Sequence, residues 1–260
     1  MQKDNREETL YALADKLRDK ISEYYGEVCD RDCFTYPDVE TETFNIYFVL
    51  YNYAWLYLMY ENGDFWWEIL DKDGRREIPS GRFTYSEDTF EDHLNELDEY
   101  VLSLIPQKYI DAKGWRNLED RPNWELLGRK YAKNETLGNS TVFNDKHEPL
   151  EKREDCLKEK FLQYFGGRVS DIRFKETTER PGEREFEMYF RAYRYFDCCF
   201  GESYRGGMDM QTMYGGEIGS MLPSTQEWHD IGDLDVFFQE MKIELELRIP
   251  DEYLEAHGWK

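Results

Sequence analysis

The chain has 260 residues, and it is strongly acidic and rich in aromatic side chains. Aspartate and glutamate number 56 against 33 lysines and arginines, so the formal net charge is -23, and aromatic residues make up 17%. This charge argues against direct binding to nucleic acid or to an anionic membrane, since both begin with neutralisation of phosphates by Lys and Arg. The aromatic content argues against intrinsic disorder, because disordered acidic chains have few aromatic residues.

Several features predict a reduced, cytoplasmic setting. The stretch Met1–Glu8 is polar and lacks the apolar core of a secretory signal. The most apolar stretch, 44–60, is shorter than the roughly 20 residues of a membrane-spanning helix. The five cysteines are an odd number without the spacing of a disulfide framework.

The strongest pattern in the sequence is internal similarity. The motif Ile105–Trp115 recurs as Ile249–Trp259, with Ile, Pro, Tyr, Ala, Gly and Trp at the same spacing, 144 residues later. Ordered aromatic matches upstream share offsets of 142 and 140 residues. A fixed period of this kind is the signature of a repeat. We therefore predict a tandem duplication, with repeat 1 at 1–116, a connector at 117–146 and repeat 2 at 147–260.

Each repeat begins with a predicted helix, which covers 8–25 in the first copy because Leu10, Leu13, Leu17 and Ile21 recur at steps of three and four. A strand around Phe34 follows. In the next strand, comparison of the two copies predicts that the inward side chains are Phe44, Ile46 and Phe48.

Asn62-Gly63 lies between two aromatic stretches and predicts a β-hairpin, and Asp73-Gly74 predicts another turn. The stretch 87–104 carries an apolar stripe that predicts a second amphipathic helix. The predicted fold class is α+β: a tandem duplication of a two-layer unit with a helix, an antiparallel meander of three to five strands and a helix.

The motif search favours a protein without catalytic activity. The sequence has no glycine-rich phosphate loop, no nucleophile elbow and no His-Glu-x-x-His motif. We predict no catalytic residues, no metal and no cofactor. Two alternatives stay open: acid–base chemistry at Glu227, His229 and Asp230, and a zinc site formed by the cysteines Cys29, Cys33, Cys198 and Cys199. For His93 we predict a packing role.

The predicted second helix is unusually acidic. No Lys or Arg occurs from Phe83 to Gln107, and acidic residues crowd the side opposite the apolar stripe: Glu87, Asp88, Glu91, Asp92, Glu96, Asp98 and Glu99. Like charges four residues apart destabilise a helix by about 0.2–0.5 kcal/mol per pair. We interpret this side of the helix as a surface for a basic partner, with Trp66 and Trp67 as nearby exposed aromatics. The alternative is an acidic face that only promotes solubility.

These observations predict a non-enzymatic inhibitor that engages a basic protein, namely a nuclease or other nucleic-acid-binding protein, by mimicking nucleic acid. The composition resembles that of small acidic inhibitors, such as toxin-immunity proteins and phage proteins that block host nucleases, and the resemblance is one of composition alone. The first alternative is an enzyme or small-ligand-binding protein with a pocket between the repeats. The second is a structural or homodimeric scaffold.

Overall fold

The protein combines helices with antiparallel sheets, which confirms the predicted α+β class. The computed structural model describes residues 2–29, 34–35, 37–115, 150–176, 186–202, 208–223 and 234–260. The chain divides into two compact units, Met1–Ile105 and Pro106–Lys260. The predicted connector 117–146 lies outside the described residues, and the predicted domain limits stay a prediction.

The first unit is one sheet with a helix before it and a helix after it. The elements are α1 (Gln2–Tyr25), β1 (Phe34–Thr35), β2 (Thr43–Leu50), β3 (Ala54–Glu61), β4 (Asp64–Asp71), β5 (Gly74–Glu77), β6 (Phe83–Thr84) and α2 (Phe90–Leu104). The strands lie in the order β1-β2-β3-β4-β5, and β6 also pairs with β4. The described part of this sheet thus has six strands rather than three to five, because two short strands pair with different segments of β4.

The core of the first unit lies between one face of the sheet and the two helices. Phe44, Ile46 and Phe48 are buried as predicted, because alternate residues of a strand share a face. Trp67 extends this layer, with its ring 6.2 Å from Phe48 and 6.5 Å from Phe90 of α2. The apolar stripe of α1 is buried as well, at Leu10, Ala14, Leu17, Ile21 and Tyr25. The spacing of apolar residues along each strand or helix therefore determines which side chains reach the core.

Tight turns connect the central strands. The predicted Asn62-Gly63 hairpin is confirmed, with φ angles of 51° and 96° that match a type I′ turn. The β2–β3 turn has the same geometry at Tyr51 and Asn52, with φ angles of 58° and 47°. Tyrosine is uncommon in this left-handed region. The side chain of Tyr51 is buried, and its hydroxyl donates a hydrogen bond to Asp98 of α2 at 2.5 Å. Tertiary contacts therefore hold the turn.

The second unit contains a five-stranded sheet and four helices within its described residues. The elements are α3 (Gln107–Lys113), α4 (Leu150–Phe165), β7 (Val169–Glu176), β8 (Phe186–Ala192), β9 (Phe196–Glu202), β10 (Met208–Tyr214), β11 (Glu217–Met221), α5 (Leu234–Arg248) and α6 (Asp251–Ala256). The strand order is β11-β10-β9-β8-β7. The β8–β9 turn again places a tyrosine, Tyr193, in the left-handed region, and its hydroxyl donates to Glu246 at 2.5 Å.

We expect Tyr51→Phe to lower the free energy of unfolding of the first unit by about 1–3 kcal/mol, because Asp98 would lose a donor in a buried site. The matched variant Tyr193→Phe should cost about 1 kcal/mol or less, because the Glu246 side chain is 32% exposed and water can replace the hydroxyl. Urea denaturation of both variants checks this. Equal losses would contradict the assigned role of burial.

The interior of the second unit is aromatic, but it also encloses charge. Phe161 lies 4.6 Å from Phe190 and 5.4 Å from Phe238, measured between ring centroids. The side chain of Arg248 is fully buried, with its guanidinium carbon 4.8 Å from the centre of the Tyr109 ring in α3. One turn before Arg248, Glu244 accepts a hydrogen bond from Lys113 of α3. These contacts attach α3 to α5.

Candidate protein-binding surface on the acidic helix

Helix α2 separates its apolar and acidic residues onto opposite sides. Phe90, Leu94, Leu97 and Val101 are buried. Its exposed side carries four carboxylates, and a fifth, Asp88, lies two residues before the helix begins. We call these five residues the acidic row: Asp88, Glu91, Asp92, Glu96 and Glu99. Residues three and four apart on a helix have Cβ atoms about 5–6 Å apart. The acidic row therefore presents negative charges at a spacing of about one helical turn.

The acidic row is not paired with cations from the described part of the chain. Among the described residues, none of its five carboxylates has a lysine or arginine nitrogen within 4.0 Å. Glu96 lies 3.6 Å from Nδ1 of His93, which itself stacks on Phe83 with ring centres 4.0 Å apart. His93 thus takes part in packing, as predicted. The mutual repulsion of the row is therefore not relieved by ion pairs with lysine or arginine within the described chain.

Glu87 differs from the other predicted site residues. Its carboxylate forms ion pairs with Lys16 and with Lys20, the latter at 2.7 Å, both from α1. Hydrogen bonds from these two lysines and from Tyr85 lower the pKa of Glu87 from its usual 4.5 to about 2. Its charge is thus compensated within the first unit, so Glu87 is a contact between α1 and the start of α2.

The lowered pKa of Glu87 predicts an acid-sensitive contact. Because the folded pKa is below the unfolded one, the stabilisation is present above pH 4.5 and is lost as the pH falls from 4.5 towards 2. We expect Glu87→Gln to flatten the decline in stability over this range, measured by thermal unfolding at a series of pH values. Parallel curves for wild type and variant would contradict the pairing.

Asp98 does not belong to the acidic surface, although the sequence pattern places it there. It is buried, and it accepts the hydrogen bond from Tyr51. The apolar stripe of α2 is wide enough to include position 98, since Leu94 and Val101 lie four residues before it and three residues after it. Its carboxylate therefore serves the β2–β3 turn.

The expectation that Trp66 and Trp67 are exposed is wrong. Trp67 is 1% exposed because it points into the core against Phe48. Trp66 lies on the other face of the sheet, where its indole Nε1 donates to Glu68 at 2.8 Å and Arg82 stacks on its ring at 4.1 Å. It is 8% exposed, so neighbouring side chains cover most of its surface. Of the predicted site residues, those of the acidic row remain as a candidate surface.

The alternative sites receive no support from the structure. Among the described residues there is no group of three or more His, Cys, Asp or Glu side chains suited to a metal ion. Cys29, Cys198 and Cys199 are buried, while Cys33 lies outside the described residues. Glu227, His229 and Asp230 also lie outside them. In the part of the chain that was searched, no helix has both the length and the apolar character needed to cross a bilayer.

Comparison of the chain with protein-family models, with curated proteins and with solved structures found no match in any of the three.

Proposed function

We propose that this protein is a non-enzymatic acidic binding protein that engages a basic protein surface through the acidic row. The observation that carries the proposal is the exposure of five carboxylates, four on α2 and one just before it, without a lysine or arginine within 4.0 Å among the described residues. A cationic partner would relieve their repulsion and would be steered towards them during association.

The second unit supports this proposal because, 144 residues further on, it keeps an acidic residue at only two of the five positions of the row, as Asp235 and Glu240. At the positions of Asp92 and Glu99, 144 residues further on, α5 carries Val236 and Ile243, which are 38% and 50% exposed. At the position of Glu91 it carries Asp235, which is paired with Lys160 at 3.1 Å. A helix that follows a sheet of this kind therefore does not need unpaired carboxylates on its outer side.

The same comparison favours the tandem duplication, which we propose as the origin of the two units. Each sheet has a long helix before it and a helix of 15 residues after it. Each also has a hairpin turn that begins with a buried tyrosine in the left-handed region. The hydroxyl of this tyrosine donates a hydrogen bond to a carboxylate on the helix that follows the sheet. Shared use of an uncommon backbone conformation at matching positions is what descent from one ancestral unit would leave.

For the partner we propose a nuclease or another nucleic-acid-binding protein, blocked by nucleic-acid mimicry. Such proteins carry basic grooves that track a regular series of phosphates. A regular series of carboxylates along a helix offers the same type of charge to the same groove. The protein would then act as a competitive inhibitor with no chemistry of its own.

Capture of a partner at low salt, followed by competition, tests this proposal. The immobilised protein should retain a basic protein from cells that produce it, and raised salt should release that protein, because exposed charge pairs are screened. Duplex DNA or RNA should also release it if the two compete for one groove. A captured protein that is acidic, or that nucleic acid fails to displace, would contradict the proposed mode of binding.

The acidic row also predicts a stabilising substitution in the free protein. Glu96→Gln removes repulsion with Asp92 and Glu99, so we expect a gain of about 0.4–1 kcal/mol in unfolding free energy at low salt. The gain should shrink in high salt. Glu87→Gln, three residues before the helix begins, is the matched control and should destabilise, because Glu87 is paired with lysines. Denaturant titrations at two salt concentrations check both signs.

A further inference from the structure

The second unit contains a groove of about 590 Å³ at its sheet, with a lining that includes Asp171, Arg173, Tyr189, Arg191, Asp197 and Met213. Strands β7, β8, β9 and β10 supply most of these residues. Arg191 and Asp197 are exposed, while the alternating neighbours Phe190 and Cys198 are buried. The groove is therefore open on the face of the sheet that points to solvent. Its volume lies in the range of small-molecule sites, about 300–1,000 Å³.

Strand register shows why the groove exists in this sheet. Next to the hairpin turn of the second unit, Asp197 pairs with Met213, and Tyr189 pairs with Cys199. At the matching positions of the first unit Trp55 pairs with Leu70, and Tyr47 pairs with Tyr57. The rings of Tyr47 and Trp55 stack 6.0 Å apart there. The groove in the second sheet is lined by the smaller Asp197 at the position that the Trp55 ring occupies in the first.

The two arginines of the groove differ in whether their guanidinium groups already have a carboxylate partner. Arg191 donates two hydrogen bonds to Asp197, at 2.8 and 3.1 Å, so a carboxylate already occupies its guanidinium. Arg173 lies directly across from Tyr189 in the register and is exposed. Within the described part of the chain its guanidinium has no hydrogen bond and no ion pair. Asp171, on the same strand, accepts a hydrogen bond from Ser170 at 3.1 Å.

We propose that this groove is a binding site for a small organic acid with an apolar or aromatic body. The carboxylate of the ligand would accept hydrogen bonds from the planar guanidinium of Arg173, which matches carboxylate geometry. The body of the ligand would lie against the ring of Tyr189 and the thioether of Met213. The negative charge of the protein does not prevent this, because the lining holds two arginines against two aspartates. Charges more than about 8 Å away are largely screened at physiological ionic strength.

The test uses three probes with the same aromatic body: phenylacetate, 2-phenylethanol and 2-phenylethylamine. Binding is followed by NMR of the full-length protein with ¹³C-labelled methionine methyl groups, with the Met213 signal assigned through Met213→Leu. We expect phenylacetate to shift the Met213 signal saturably and to bind about tenfold more tightly than the neutral alcohol, which corresponds to one charge-assisted contact.

Arg173→Gln should abolish the preference for phenylacetate over the alcohol. The control Arg82→Gln, at an arginine that stacks on Trp66 in the first unit, should leave it unchanged. Three results would overturn the proposal: no saturable shift in the wild-type protein, equal affinity for acid and alcohol in the wild-type protein, or tighter binding of the amine, which would assign the groove to Asp171 and Asp197. A preference that persists in Arg173→Gln would also overturn it. None of these results bears on the acidic row.

Discussion

Reversing the charge of four residues of the acidic row should abolish binding to the basic partner. The variant is Glu91→Lys, Asp92→Lys, Glu96→Lys and Glu99→Lys together. If each exposed charge pair contributes about 1 kcal/mol, removing four of them weakens binding about a thousandfold, and the new repulsion weakens it further. Titration calorimetry with the captured partner measures the dissociation constant. Stopped-flow mixing should show a lower association rate constant, because these exposed charges steer the encounter.

A matched control separates the acidic row from the net charge of the protein. It carries Glu23→Lys, Asp155→Lys, Glu159→Lys and Glu252→Lys, at exposed positions on α1, α4 and α6, with the same total change in charge. The control should bind with nearly the affinity of the wild-type protein. Equal loss in both variants would show that the field of the whole protein matters and that the acidic row has no special role.

Replacing Glu244 by leucine should cost the second unit about 3–5 kcal/mol of unfolding free energy. Glu244 is 8% exposed and accepts a hydrogen bond from Lys113, and the fully buried Arg248 lies one turn further along α5. Removing one member of a buried ion pair leaves the other charge in a site of low polarity. The loss is a large part of the 5–15 kcal/mol that stabilises a typical domain. Chemical denaturation followed by circular dichroism measures it.

Two further variants identify the cause of this loss. Glu246→Leu changes the same residue type on the same helix at a site that is 32% exposed, so it should cost about 1 kcal/mol. Adding Lys113→Met to Glu244→Leu should recover part of the stability, because the uncompensated lysine is then removed as well. If the double variant is less stable than Glu244→Leu alone, the ion pair is not the source of the effect.

Local patterns in the sequence predicted many elements of the fold. The period of three to four in residues 8–25 and 87–104 predicted α1 and α2, and alternation predicted the inward side of β2. The turn at Asn62-Gly63 followed from the preference of a type I′ turn for those two residues. In each case one short segment carries all the information, so no knowledge of distant contacts was needed.

The candidate surface was only partly predictable from the sequence, because local patterns do not show contacts with distant segments. Alternation along β4 shows that Trp66 and Trp67 point to opposite faces, but it does not show that Arg82 covers Trp66. Equally, nothing in the local pattern separates Glu87 from Glu91, because the difference comes from Lys16 and Lys20, about 70 residues away in the sequence. Neighbours that are distant in the chain decided which carboxylates are compensated.

The sequence by itself determined the mixed class of the fold, the position of its main helices and hairpins, and the concentration of acid on α2. These properties depend on spacing within a few turns or strands. Only the tertiary structure decided that Asp98 is buried and bonded to Tyr51, that Arg248 lies inside the second unit and that a groove lies on its sheet. Burial and charge compensation depend on which segments pack together, and packing is a property of the whole unit.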